Sequence, residues 1–529
     1  MKSLEEIISY FPNFSNATFT ASDFNVGTLK ELAASPRAVP VTLGTVALAL
    51  LSWKYLFSTT DGIPEAKGSI PVVGAAVGFG SNPRKFLEEQ RRKLGEVFRV
   101  NLLAIKPIFI LDPKERDRLY KTSERVVSFE EALADAGFDL LQGPPEAQDP
   151  AWNKVGMGTI SRGFMRNEKL DEYSPTITNS VDTFAEHWIS LSEKDGSIDI
   201  FYQASRTVIT LGMKVMLGEE VSPFATPMNN LFTRLTLSTP QFAAKWGDVF
   251  VHKYQEMERH LTNPNSSIFK TKWYPPYRRV LETRDWVAST IREEVFRRLD
   301  DDGNIKEEFK GRTDYLQMVL NEKGTKWKEL YPYHILGALL GAHTNTAGHL
   351  AWTLAHTYAN PTHLHAVRSE NGSVEYLDAM IKEVGRMYTA TMFMRKVLQD
   401  VDVSGHHIKS GSLISITNIV GNYDEKYYVN PYSFDPNRYL NPTDPSLTKS
   451  PHHVQFGVGH HRCLGEKFAW VLLRIVVKNI VDRYDFEIVG GGTRRSNGKG
   501  VELTGPDWSM LTGTYWADQR IGVRVSKRI

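Results

Sequence analysis

The chain has 529 residues, with 63 Lys and Arg against 61 Asp and Glu, a formal net charge of +2. That balance, without a long basic run or interleaved basic and aromatic residues, argues against a nucleic-acid partner. A single cysteine, Cys463, excludes an internal disulfide, an iron–sulfur cluster held by this thiol alone and a four-cysteine zinc site. What remains for it is a buried filler, a nucleophile or one metal ligand.

In chain order, the first distinctive stretch is Val39 to Phe57, VPVTLGTVALALLSWKYLF, uncharged until Lys54. At about 1.5 Å rise per residue such a helix nearly crosses a hydrocarbon core of roughly 30 Å. It begins too far into the chain for a cleaved signal peptide, so a transmembrane anchor is expected over 38–57. The leader 1–37 carries two glycosylation sequons, at Asn13 and Asn16, compatible with a lumenal tail. The Gly/Pro-rich stretch 58–83 reads as a hinge. Beyond it, GEVFRVNLLAIKPIFILD predicts a β-hairpin, and the patterning from Asp112 onward is mostly helical. The run from Tyr333 to Thr357 is apolar on nearly all sides, which predicts a helix crossing the core. Short β-like pieces follow from Arg395 to Ile416, then loops rich in Asn, Pro and Asp. LGEKFAWVLLRIVVKNIVDRY reads as another apolar helix, and VELTGPDWSMLTGTYW as a terminal β region. The expected fold class is mostly α with small β-sheets.

Cys463 lies in FGVGHHRCLG, Phe456 to Gly465. Gly457 and Gly459 permit a tight turn at positive φ, and Gly465 leaves room for a flat group against the backbone. The helix starting just after Cys463 aims its free N–H groups at the sulfur, which favours the thiolate, an axial ligand suited to haem iron. Phe456, Gly459, Cys463 and Gly465 match, position by position, the Phe-x-x-Gly-x-x-x-Cys-x-Gly signature of the cytochrome P-450 family, which the chain resembles from about Gly68 to its C-terminus. The resemblance implies the fold of that family, with haem b between the long core helix and the cysteine loop, in a catalytic domain over 84–529.

Further motifs agree. Glu383 and Arg386, three apart on one helix face, resemble the family's Glu-x-x-Arg pair, which Arg438 of Phe434-Asp-Pro436-Asn-Arg438 would join in a structural network. Arg395 and His461 fall where the family binds the haem propionates. Trp152 stands at a third such position, without the arginine that usually accompanies it. On the core helix, Gly341 and Ala342 would open a groove for dioxygen and substrate. Thr344 aligns with the threonine that assists proton delivery to dioxygen, although a threonine at such a place also bonds back to its own helix. His343 replaces the usual acid before it, and its role is either a proton relay or a lock between helices. Gly341-x-His-Thr, Gly-x-His-Arg-Cys and the turn around Asp507 and Trp508 are similar to the sterol 14α-demethylases. The proline that normally follows Glu-x-x-Arg is absent, and FEEALADAGFDLLQG lacks their aromatic pattern. The expectation is a relative of that branch, in fungal specialised biosynthesis.

The resemblance implies a membrane-bound monooxygenase of the endoplasmic reticulum, with its catalytic domain cytosolic. It would use O2, a lipophilic sterol- or terpenoid-like substrate and electrons from a separate NADPH-cytochrome P-450 reductase carrying the flavins. Arg462, Lys467, Arg474 and Lys478 are candidates for the reductase docking face. Phe129, Phe138, Leu140 and Leu141 are candidates for a substrate wall. The alternative is a P-450-type isomerase or dehydratase acting on a lipid hydroperoxide without reductase, against which Thr344 argues. A haem carrier or sensor explains Cys463 but not the groove and threonine.

Overall fold

The computed structural model describes residues 62–66, 75–102, 105–135, 143–144, 157–218, 240–261, 273–369, 373–390, 392–442, 445–449, 452–496, 500–510 and 513–529. The expected anchor 38–57, the sequons at Asn13 and Asn16, Trp152, Phe138, Leu140 and Leu141 lie outside them. Among the described residues no helix is long and apolar enough to cross a membrane.

The organising element is the helix Tyr331–Ala359, 29 residues long and buried over most of its length. Its sequence is apolar on nearly every side because it has a neighbour on nearly every side. Helix Ile200–Leu217, itself almost wholly buried, lies along it. Gly212 brings the two backbones close, since a Cβ there would come within 3.1 Å of Leu339. Phe201 packs edge-on to Trp352, 5.1 Å between ring centroids. On another side Trp352 stacks flat on Tyr388 at 3.9 Å, and its indole N–H donates to the carbonyl of Tyr515 at 2.7 Å. Buried Trp N–H groups need such a partner, so this bond fixes the C-terminal segment to the core helix.

Helices Pro240–Leu261, Pro275–Arg297, Ser373–Tyr388 and Glu466–Arg483 pack against the core helix, and Asn167–Asp195 lies against Ile200–Leu217 and Glu466–Arg483. Helix Pro113–Tyr120 is started by Asp112, whose Oδ1 accepts from the N–H groups of Lys114 and Glu115 at 2.8 and 2.9 Å. The β-structure is small. One five-stranded sheet has the order Val97–Arg99, Ile108–Ile110, Leu413–Thr417, Met392–Val397, Val127–Ser128. The expected hairpin is its edge, pairing Val97 with Ile110 and Arg99 with Ile108. Its second strand runs parallel to Leu413–Thr417, and the remaining pairs are antiparallel.

The hinge expected over 58–83 differs in its described part. Arg99 N donates to Pro64 O at 2.7 Å and Ala66 N to Arg99 O at 2.8 Å, so 62–66 extends the sheet edge. Ala76–Ser81 forms a helix whose Phe79 is buried against Phe86 and Phe109. Gly and Pro gave this stretch the look of a linker, but its alternating apolar residues find a hydrophobic cluster with Phe98 and Tyr515.

Candidate active site

The cysteine loop is closed by a bond from Cys463 N to Phe456 O, 2.8 Å. Gly457 and Gly459 have φ of 70° and 74°. At Gly459 the backbone passes so near its neighbour that a Cβ would lie 2.1 Å from the Tyr120 carbonyl oxygen. Gly465 has ordinary φ; its missing side chain leaves the surface beside the sulfur flat, the nearest atom to a Cβ there being Cys463 Sγ at 3.9 Å.

The helix-start N–H groups act on the sulfur in the expected direction, against its burial. Burial of the thiol is the largest influence and pushes its pKa up, the N–H groups of Gly465 and Glu466 pull it down, and the Glu466 carboxylate pushes again. The net direction is upward, although Cys463 is exposed as a residue. Helix-start N–H groups alone do not offset the desolvation of the anion. A metal bound at the sulfur would favour the thiolate. Among the described residues no group of three or more His, Cys, Asp and Glu could hold a metal ion.

Arg395 points to the group that would bring that metal. It is 3% exposed, yet it makes no ion pair with any described residue. Its Nη1 donates to Met394 O at 2.8 Å, and its guanidinium lies 4.6 Å over the Phe129 ring. A guanidinium has five N–H donors, and a buried one without an anion is costly. The arrangement fits a haem whose propionate meets Arg395 and whose iron meets Cys463.

His461, the second expected propionate partner, meets a carboxylate of the chain itself. Its Nε2 lies 2.6 Å from Glu124 Oε2, and its ring is 4.9 Å from that of Phe129. Glu124 Oε1 also accepts from the N–H groups of Phe129 and Glu130 at 2.6 and 3.0 Å, capping helix Phe129–Asp135. Phe129 is thus held between Arg395 and His461. No local signal marks Glu124, because its partner is distant in sequence.

Glu383, Arg386 and Arg438 come together behind the loop. Arg386 meets both Glu383 oxygens at 2.7 Å, and Arg438 Nε donates to Glu383 Oε1 at 3.1 Å. Arg386 Nη1 also holds the carbonyls of Asn422 and Pro431 at 2.6 and 2.8 Å. The pair is fully buried and ties helix Ser373–Tyr388 to the loops leading to Cys463.

Midway along the core helix Gly341 and Asn345 are exposed and Ala342 and Thr344 half-buried, an open stripe on an otherwise covered helix. Thr344 Oγ1 donates to Leu340 O at 2.9 Å, and its hydroxyl also lies against Glu258. One hydroxyl proton therefore faces two acceptors. His343 Nδ1 is 3.2 Å from Glu258 Oε2, off the hydrogen-bonding direction, and its Nε2 is 2.9 Å from Ser205 Oγ, which accepts from Gln255 Nε2 at 2.6 Å. Burial pushes the Glu258 carboxyl up, but His343, Thr344 and Arg259 outweigh it and hold it below the usual carboxylate range. Glu258 and Ser205 were not readable in advance, since each is one polar residue on the inner face of its own helix.

The expected docking cations are largely engaged. Arg462 grips Glu466 at 2.5 and 2.8 Å, Arg474 grips Asp378 at 2.6 and 2.7 Å, and Lys478 meets Asp482 at 2.6 Å. This face is a mosaic of both signs, not a cationic patch, because each of these basic residues has an acid within reach.

The cytochrome P-450 family profile matches residues 64–506. The chain is 25% identical over 517 residues to the cytochrome P-450 monooxygenase pynD of Aspergillus niger, covering 93% of this chain and 98% of that one. It is 24% identical to the lanosterol 14-alpha demethylase of Cunninghamella elegans, covering 90% and 95%. Retinoic acid-bound cyanobacterial CYP120A1 has the same fold, with a TM-score of 0.64 at 18% identity over 88% of this chain and 99% of that one. The protein belongs to the cytochrome P-450 family, haem-dependent monooxygenases in which a cysteine thiolate ligates the iron and electrons come from a separate reductase.

Proposed function

We propose that the protein hydroxylates or oxidatively demethylates a lipophilic sterol- or terpenoid-like substrate, with Cys463 as the haem ligand. The observation that carries this reading is the open stripe of the core helix, where Thr344, His343 and Glu258 meet. Haem bound at Cys463 supplies activation of dioxygen and transfer of one oxygen atom to carbon; the other leaves as water, with two electrons and two protons consumed. The chain's own work is to hold haem and move protons. Arg395 would neutralise a haem propionate. Thr344 holds its hydroxyl against Glu258, a carboxylate that His343, buttressed by Ser205, keeps charged between transfers; it would take up a proton from solvent and pass it to Thr344. An isomerase acting without electrons has no use for such a supply.

The substrate class is supported by the Gly-x-His-Thr and Gly-x-His-Arg-Cys motifs and by likeness to a protein named as a lanosterol demethylase. Identity of only about a quarter, spread along the chain, supports a specialised relative more than the same enzyme. The apolar run 38–57 supports an anchor in the endoplasmic reticulum, where NADPH-cytochrome P-450 reductase would deliver electrons to a cytosolic domain.

Titration of the ferric protein with tetracyclic sterols and triterpenes, then with fatty acids and smaller terpenes, tests this reading. A saturable low- to high-spin change with the tetracyclic compounds is expected, followed by reductase-dependent product. In that assay Glu258→Gln keeps the spin change and loses most of the product. A response to another class alone removes the sterol assignment, and turnover of a hydroperoxide without reductase removes the monooxygenase reaction.

A further inference from the structure

Gln455 immediately precedes Phe456, yet its side chain turns inward to the core helix. Its Nε2 lies 2.8 Å from His349 Nε2. The other ring nitrogen, Nδ1, is 2.9 Å from Asn345 O and 2.9 Å from Thr514 Oγ1. His349 is 4% exposed, and burial pushes its pKa down to about 4, so the ring is neutral at physiological pH.

Its tautomer follows from the partners. A backbone carbonyl can only accept, so Nδ1 carries the proton and donates to Asn345 O, with the Thr514 oxygen sharing it. Nε2 then presents a lone pair and needs a donor. Gln455 can supply one through its amide N–H, which sets the amide orientation. With its ring so deeply buried, the lone pair has no water to replace that donor.

Three segments therefore meet on one imidazole: the strand Gly513–Thr514, the core helix one turn beyond Thr344, and the cysteine loop. Two glycines make the approach possible. A Cβ on Gly348 would lie 2.7 Å from Thr514 Cγ2. A Cβ on Gly385, inside the Glu383–Arg386 motif, would lie 2.3 Å from Gln455 Cδ and 2.7 Å from Cγ. Gln455 passes over the bare backbone of Gly385 to reach His349, and no side chain fits beneath it.

We propose that His349 and Gln455 are positioning residues that set the cysteine loop in register with the core helix, fixing Cys463 relative to Thr344. The inference rests on Cys463 being the haem ligand. The loop reaches the helix through a donor–acceptor pair that holds at one separation and orientation, where an apolar contact would tolerate sliding.

The test uses the full-length holoprotein and reads the ferrous carbon monoxide spectrum, which separates thiolate from thiol ligation, together with the rate of haem transfer to apomyoglobin. Gln455→Met keeps size and removes the donor; the ratio of thiol to thiolate form is expected to rise about fivefold, with faster haem loss, at nearly unchanged thermal stability. Gly385→Ala is expected to do the same while lowering stability, because Gln455 is displaced. Gly385→Ala combined with Gln455→Ser relieves the clash: stability returns, and the spectrum stays thiol-rich. A role in packing alone predicts that the spectrum recovers with stability. A wild-type spectrum and haem retention in Gln455→Met, or spectral recovery in the double variant, overturns the proposal. Cys463→Ser serves as the control: a thiolate spectrum there refutes the ligand assignment instead.

Discussion

Arg386→Met is expected to leave little or no folded, haem-loaded protein. Arg386 and Glu383 are both fully buried, and the methionine would strand the Glu383 carboxylate in the core. Breaking a buried ion pair from one side costs about 3–5 kcal/mol, against a total of roughly 5–15 kcal/mol for an ordinary domain. The variant also frees the carbonyls of Asn422 and Pro431, each of which loses a charged donor. Arg438→Met should be milder, since its side chain is 12% exposed and Glu383 keeps Arg386. Denaturant unfolding of the three proteins checks the order. Stability of Arg386→Met within about 1 kcal/mol of wild type would show that the network carries no such weight.

The second large effect is with pH. His334, His349, His363 and His453 are each pushed down to about 4, chiefly by burial, and burial also holds His356 well below its ordinary value. Nearby cations add to the shift, Arg495 at His363 and Lys382 at His453. In the unfolded chain these rings take up protons near pH 6.5. Between about 6.5 and 4 the unfolded state thus binds more protons than the folded one, and stability falls as pH falls. Each ring contributes a slope approaching about 1.4 kcal/mol per pH unit, so two or three acting together would remove most of an ordinary domain's stability above pH 4. The carboxylates held low, Glu258 and Glu124, act in a more acidic window, losing their contribution only as pH falls through their depressed folded values. Denaturant midpoints measured from pH 7.5 to 5 should drop steeply, with net proton uptake on unfolding. Flat midpoints over that range would contradict it.

Much of this structure is visible as local pattern. The apolar run around Leu339 to Leu354 marks a core helix because burial on all sides leaves no polar face. Gly457 and Gly459, ahead of Cys463, mark a turn because their φ is positive. Glu383 and Arg386 are read as a pair because helical spacing places them on one face. What was not visible depends on pairs distant in the chain. Glu124 meets His461, Glu258 meets His343, and Gln455 meets His349 only after the helices pack, and each is an unremarkable polar residue in its own segment. The thiol shows the complementary problem. Its helix-start N–H groups can be inferred from sequence order, but the burial that outweighs them is a property of the folded chain. The same holds for Arg462, Arg474 and Lys478, whose neutralising acids include Asp378, on another helix.

The most direct test of the central claim compares the reduced, carbon monoxide-bound spectrum of the wild-type protein with that of Cys463→Ser. Cys463 is the only thiol in the chain. The account predicts a thiolate-type band in the wild type and its complete loss in the variant, even where some haem is retained. A thiolate-type band that survives in Cys463→Ser, or one absent from fully haem-loaded wild type, would contradict the account.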